Sequence, residues 1–194
     1  MPITFILHGG ETSRADPSNE SFFRYFTTAA AKPVVAILMC YFSKPEETWL
    51  ERLEADRQRV AKQATKEFRL TLATSPEHLL EELPKHDVLY VAGGDAELIE
   101  PLVPRLQALP DKLDGKAYLG CSMGAFIVSS QYVLSFDKQE SPSVHQGLGL
   151  LPFSTLCHWD IEPQKEQKVR LLLEAAPRAP ILALEECKYS IFIA

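Results

Sequence analysis

The chain has 194 residues, 46% of them hydrophobic and 24% charged, the ordinary composition of a soluble globular protein. A net charge of −6, with Lys and Arg scattered rather than clustered, excludes nucleic acid as a main partner, since phosphate binding needs a basic face. No run is long enough to cross a membrane, and the apolar stretch at residues 3–7 is too short for a secretory signal, so a cytoplasmic location is expected.

In chain order, "ITFILHGG" reads as a first strand ended by glycines, "SFFRYFTTAAA" as a helix and "PVVAILMCYF" as a buried strand. "PEETWLERLEADRQRVAKQATK" opens on Pro45 with acids early and bases late, an order that suits the helix dipole. Its Trp49, Leu53, Val60 and Ala64 form an apolar stripe at helical spacing. "RLTLAT" is a short strand, and Ser75-Pro76-Glu77 opens the helix "PEHLLEELPKH". "DVLYVAGGD" is a strand running into a glycine pair. The helix "AELIEPLVPRLQAL" follows, and Pro101 and Pro104 should kink or split it. "KAYLGCS" and "MGAFIVSSQ" read as the next strand and helix. Residues 137–147 are polar and aperiodic, hence a surface loop. "GLGLLPFSTLCHWD" holds a strand ending at His158, "EQKVRLLLEAA" a helix, and "PILALEE" and "YSIFIA" two final strands.

Repeated strand–helix alternation with near-continuous apolar strands predicts one three-layer α/β/α domain over residues 1–194, built on a mostly parallel sheet. The four cysteines have no C-x-x-C spacing and three lie in apolar runs, so they read as structural thiols. The five histidines form no H-x-x-x-H pair. Neither a metal nor a cofactor is expected.

"GCSMG" spells G-x-S-x-G with Ser122 at its centre, after a strand and before a helix, the context of a nucleophile elbow. A serine nucleophile needs a base, and the base an orienting acid. Of the downstream histidines, His145 lies in the polar loop. His158 ends a strand, on the sheet edge where open parallel sheets carry their sites. For the acid, Glu185 and Glu186 end the next strand. Asp137 and Asp160 are alternatives, Asp160 being tight at two residues from His158. Oxyanion donors would be the backbone N–H of Met123 and of Gly93 or Gly94. Cys121 should point away from the site, because successive strand side chains face opposite ways.

Four stretches, "YVAGGDAELI", "GCSMGA", "GLGLLPFSTLCHWD" and "LEE", follow in an order and at separations that resemble the aspartyl dipeptidase and cyanophycinase family of serine peptidases. The resemblance covers most of the chain. It implies a fold related to class I glutamine amidotransferases and a Ser-His-Glu triad. Carried onto this chain, Ser122 would be the nucleophile, His158 the base, Glu186 the acid with Glu185 one residue away, and Gly94 and Met123 the oxyanion donors. The substrate would be a small peptide or isopeptide, met in part by Gly93, and the protein a monomer or homodimer. Dipeptidase members carry arginines after the histidine. Lys165 and Lys168, which would be the substrate-binding residues there, stand in the matching "QKEQKVR", and lysine does not reproduce the bidentate grip of arginine on a carboxylate. That departure leaves room for a catalytically silent binding protein. A third reading is an α/β-hydrolase-type esterase using Asp137.

Overall fold

The computed structural model describes residues 1–135 and 142–194. Strand β1 (Thr4–His8) leads to helix α1 (Pro17–Thr28). The helix begins where Asp16 accepts the Ser18 amide at 2.7 Å, with Pro17 in its first turn, so one orphan amide gains an acceptor and another is removed. Strand β2 (Val34–Cys40), helix α2 (Trp49–Gln63) and strand β3 (Glu67–Leu72) come next. Ser75 caps α3 (Pro76–Glu82) by accepting the His78 amide at 3.1 Å, and β4 (Val88–Val91) follows. Helix α4 (Ala96–Ile99) passes directly into a 3₁₀ segment, Glu100–Leu106. Pro101 and Pro104 lack the amides a continuing α-helix would use, so the helix splits there.

Strand β5 (Ala117–Cys121) enters helix α5 (Met123–Phe126), which is a single turn rather than the helix expected over 123–131. After Phe126 the run Ile127-Val128-Ser129-Ser130 is made of weak helix formers, and from Ser129 the chain pairs as β6 (Ser129–Val133). The expected loop also contains a strand, β7 (Val144–Gln146), paired antiparallel with β6. Asp137 lies outside the described residues. Strand β8 (Leu151–Leu156), helix α6 (Lys165–Ala175), β9 (Ile181–Ala183) and β10 (Tyr189–Ile193) complete the order.

The architecture is α/β with mostly parallel strands, divided over two sheets. The larger has the order β10-β1-β5-β4-β2-β3, with only β10 antiparallel; the smaller has the order β7-β6-β8-β9. Alternation along the strands builds a core on each face of the larger sheet. Leu38 and Cys40 of β2 pack with α3, the 3₁₀ segment and α5, whereas Ile37 and Met39 pack with Phe22, Phe23 and Phe26 of α1 and Val60 of α2. Register decides where function can gather. His8 pairs with Cys121 and Val91 with Gly120, so β1, β5 and β4 end together. In the smaller sheet Leu156 pairs with Ala183, so β8 and β9 release the chain side by side just before His158 and Glu186. Among the described residues, no helix is long and apolar enough to cross a membrane.

Candidate active site

Ser122 occupies the turn between β5 and α5 with φ 48° and ψ −106°. A side chain in that backbone region costs about 1–3 kcal/mol and persists only where the surroundings hold it. Gly124 is part of the holding: a Cβ there would lie 2.1 Å from the Val91 carbonyl oxygen, so only glycine lets α5 approach β4. Met123 is the first residue of α5. Its amide has no carbonyl within the helix to bond, while its side chain is buried in the core. Gly93 and Gly94 leave β4 beside Ser122 and line the same cleft.

Three consecutive carbonyls organise the edge. His8, Gly9 and Gly10 accept the amides of Ser122 (2.9 Å), His158 (3.0 Å) and Cys187 (3.0 Å) respectively. The end of β1 therefore sets the elbow, the segment after β8 and the segment after β9 in one frame, joining the two sheets at their edges. Backbone strain collects in the same place. Among the described residues, the non-glycine positions with positive φ are Glu11, Ser122, His158 and Cys187. Gly10, at φ +126°, is the floor under the histidine: a Cβ there would sit 2.2 Å from Cε1 of His158.

The structure brings Ser122, His158 and Glu186 together. Ser122 Oγ is 3.2 Å from His158 Nε2, and His158 Nδ1 is 2.9 Å from Glu186 Oε1. An ionised carboxylate only accepts, so the ring proton is on Nδ1 and Nε2 accepts from the serine hydroxyl. The second carboxylate oxygen, Oε2, takes Arg14 Nη2 at 2.5 Å, and the Glu186 amide donates to Asp160 Oδ1 at 2.8 Å. Of the four acids considered from sequence, Glu186 meets the ring, Glu185 is exposed, Asp160 supports Glu186 through its backbone, and Asp137 lies outside the described residues.

Lys168 is not in this group. It is fully buried, with Nζ 2.8 Å from Glu162 Oε2 and 2.6 Å from the Leu134 carbonyl, so it fastens α6 to the end of β6. Lys165 lies over the Trp159 ring, 5.2 Å from its centroid, and bonds the Asp160 carbonyl. Cys121 is buried with Sγ 4.0 Å from His8 Nδ1, and burial pushes its thiol up to about 12, away from thiolate. His145 stacks on Tyr132 and pairs with Glu100.

A cleft of about 340 Å³ runs from Ser122 and His158 toward α2. Its polar wall holds Tyr41, Asp56 and Arg59, with Lys44 and Arg52 alongside. Asp56 is buried and accepts from Tyr41 Oη at 2.8 Å and Arg59 Nη1 at 2.7 Å. Burial raises its carboxyl above the usual range, and the two donors oppose that rise. None of these residues stood out in the sequence, yet one signal was there: Asp56 lies three and four residues from Leu53 and Val60, a charge on the apolar stripe. His8 is likewise buried under the site. Burial lowers it to about 4, and the bond to Asn19 only partly offsets that.

Fold and site together define a class, an α/β protein with a serine–histidine–glutamate contact on a strand–turn–helix elbow, as in serine peptidases. The model of peptidase family S51 matches residues 6–192, and the chain belongs to that family. It is 31% identical over 121 residues to an uncharacterized peptidase of Listeria monocytogenes and 32% identical over 124 residues to one of Listeria innocua. The matched stretch spans 58% and 59% of the length of those relatives. Among solved structures, a peptidase from an acI-B1 actinobacterium superposes with a TM-score of 0.66 at 16% identity, covering 97% of this chain and 82% of the other. A putative peptidase E protein of Listeria monocytogenes gives 0.62 at 18% identity, covering 100% and 98%. At those identities the two structures speak for the fold.

Proposed function

We propose that the protein is a serine peptidase that cleaves a small peptide or isopeptide bond, with Ser122 as nucleophile, His158 as general base and acid, and Glu186 as the group that orients the ring. The observation that carries this reading is the Ser122–His158–Glu186 contact at an elbow with φ 48°. Ser122 Oγ attacks the carbonyl carbon while Nε2 of His158 takes its proton. Glu186 stabilises the imidazolium that forms. The negative oxygen of the tetrahedral intermediate faces the amides of Met123 and Gly94, one at the start of α5 and one past the end of β4. His158 then returns the proton to the leaving nitrogen. Water repeats the sequence on the acyl-enzyme and frees Ser122.

The polar groups of a bound peptide meet Lys44, Arg52 and Arg59 along the cleft. Burial of Lys168 against Glu162 argues against a substrate contact from that lysine. Turnover of a panel of aspartyl and β-aspartyl peptides together with simple esters tests the reading. At least one should be hydrolysed by the wild type and not by Ser122→Ala. Hydrolysis surviving in Ser122→Ala would remove the nucleophile assignment, and a panel with no turnover at all would favour a silent binding protein.

A further inference from the structure

We infer that Arg14 is a positioning residue for the site, acting through Glu186, and that the loop between β1 and α1 is built to hold it there. The inference rests on the reading of Ser122, His158 and Glu186 as a triad. A carboxylate terminus turns easily about its last torsion, and either oxygen can accept. In Glu186 the two oxygens are divided: Oε1 faces His158 Nδ1 at 2.9 Å and Oε2 faces Arg14 Nη2 at 2.5 Å. With Oε2 occupied by the guanidinium, Oε1 stays directed at the ring. The Nδ1–H tautomer is then held, and Nε2 keeps its lone pair toward Ser122.

Most ion pairs at a surface do little, because ordering two long side chains costs entropy and water screens the charges. This pair is built differently. The Glu186 side chain is only 6% exposed although that of Arg14 is 54% exposed, so the carboxylate is nearly sealed from water and needs partners from the protein. The backbone beneath Arg14 is also fixed. Asn19, itself buried, donates from Nδ2 to the carbonyls of Glu11 (2.9 Å) and Arg14 (2.8 Å). Its Oδ1 is 2.8 Å from His8 Nε2, and His8 Nδ1 accepts the Gly10 amide at 3.1 Å. His8 is thus neutral with its proton on Nε2, which fixes the Asn19 amide with both donors turned to the loop. The chain of contacts runs from β1 through His8 and Asn19 to Arg14, and from Arg14 to the acid.

Two measurements test this. The first needs no substrate: the ¹⁵N shifts of the His158 imidazole report which nitrogen carries the proton. Wild type and Arg14→Lys should show the Nδ1–H form, and Arg14→Met a mixture of tautomers, with melting curves verifying that each variant is folded. A pure Nδ1–H form in folded Arg14→Met would overturn the inference. The second uses turnover of aminoacyl p-nitroanilides. Arg14→Met should lower kcat about 10- to 100-fold with KM unchanged, as loss of a supporting partner does elsewhere, and Arg14→Lys should recover part of it. In a Glu186→Gln background the same substitution should add no further loss. An equal loss in both backgrounds would mean that Arg14 does not act through Glu186. Ser122→Ala is the control for the triad reading, because activity retained there condemns that reading while the tautomer result still judges Arg14.

Discussion

Ser122–His158–Glu186 and Ser143–His145–Glu100 have nearly the same internal geometry. In the first, Ser Oγ to His Nε2 is 3.2 Å and His Nδ1 to Glu Oε1 is 2.9 Å; in the second the same distances are 3.1 Å and 2.8 Å. What surrounds them differs. Ser122 is at a strained turn with glycines and an early helix amide around it, whereas Ser143 is an exposed residue two positions from its histidine, without a positive φ. Glu186 is 6% exposed in its side chain and divides its oxygens between His158 and Arg14. Glu100 is 30% exposed and offers the same oxygen to both Tyr132 and His145. Two matching distances therefore do not make an active site. On the proposed reading, the backbone that fixes Ser122, the amides of Met123 and Gly94 and the support behind Glu186 are what separate a site from a surface hydrogen-bond cluster.

The largest effect should come from exchanging the two serines in turn. Ser122→Ala should lower kcat about 10⁴-fold or more, and Ser143→Ala should leave it within about twofold. Comparable losses in both variants would erase the distinction. The acids should follow the same division. Glu186→Gln removes the charge and leaves one accepting oxygen for two donors, Arg14 and His158. With that oxygen on the guanidinium, the amide nitrogen faces the ring and favours the wrong tautomer, so kcat should drop about 10³- to 10⁴-fold. Glu100→Gln should leave turnover unchanged and cost about 1 kcal/mol in a denaturant melt, since the amide still accepts one bond. Gly10→Ala comes next, because its methyl would displace the His158 ring. About 10²-fold in kcat is expected, read against a melting curve to separate misplacement from unfolding.

The smallest effect concerns acid. His8 in the folded protein is lowered to about 4 from the ordinary 6.5, so above pH 6.5 it is neutral in both states and contributes no pH dependence. As pH falls from 6.5 toward 4, the unfolded chain takes up a proton that the folded chain refuses. Stability should drop by about 3 kcal/mol over that window. The loss should loosen the β1–α1 loop beneath Ser122 and leave the Glu100 cluster in place. Protection factors of the Gly10 and Gln146 amides, which take out the slower intrinsic exchange in acid, should fall at Gly10 more than at Gln146 as the pH is lowered, and an equal fall at both would speak against it.

Much of the fold was legible because its strands are apolar runs bounded by glycine or proline, and burial in a parallel sheet demands such runs. The short helix α5 was not, since "MGAFIVSSQ" contains an apolar run that serves a helix turn or a strand, and only pairing of Ser129–Val133 with β7 and β8 decides. The elbow and the residues after β8 and β9 could be named from strand ends alone, because parallel strands place their C-terminal ends on one edge. Glu186 could not be separated from Glu185 in sequence, since one residue reverses which way the side chain faces. His8, Gly10, Asn19 and Arg14 gave no motif. Their roles are contacts to segments more than a hundred residues away or to one another across a turn, and such contacts exist only once β1 lies beside β5.

The central claim is that the elbow serine, and not its look-alike, carries the chemistry. Covalent labelling with a fluorophosphonate followed by peptide mass spectrometry tests it most directly. One label per chain on the peptide containing Ser122, absent in Ser122→Ala, is the predicted result. Label on the peptide containing Ser143, or undiminished labelling of Ser122→Ala, would contradict the account.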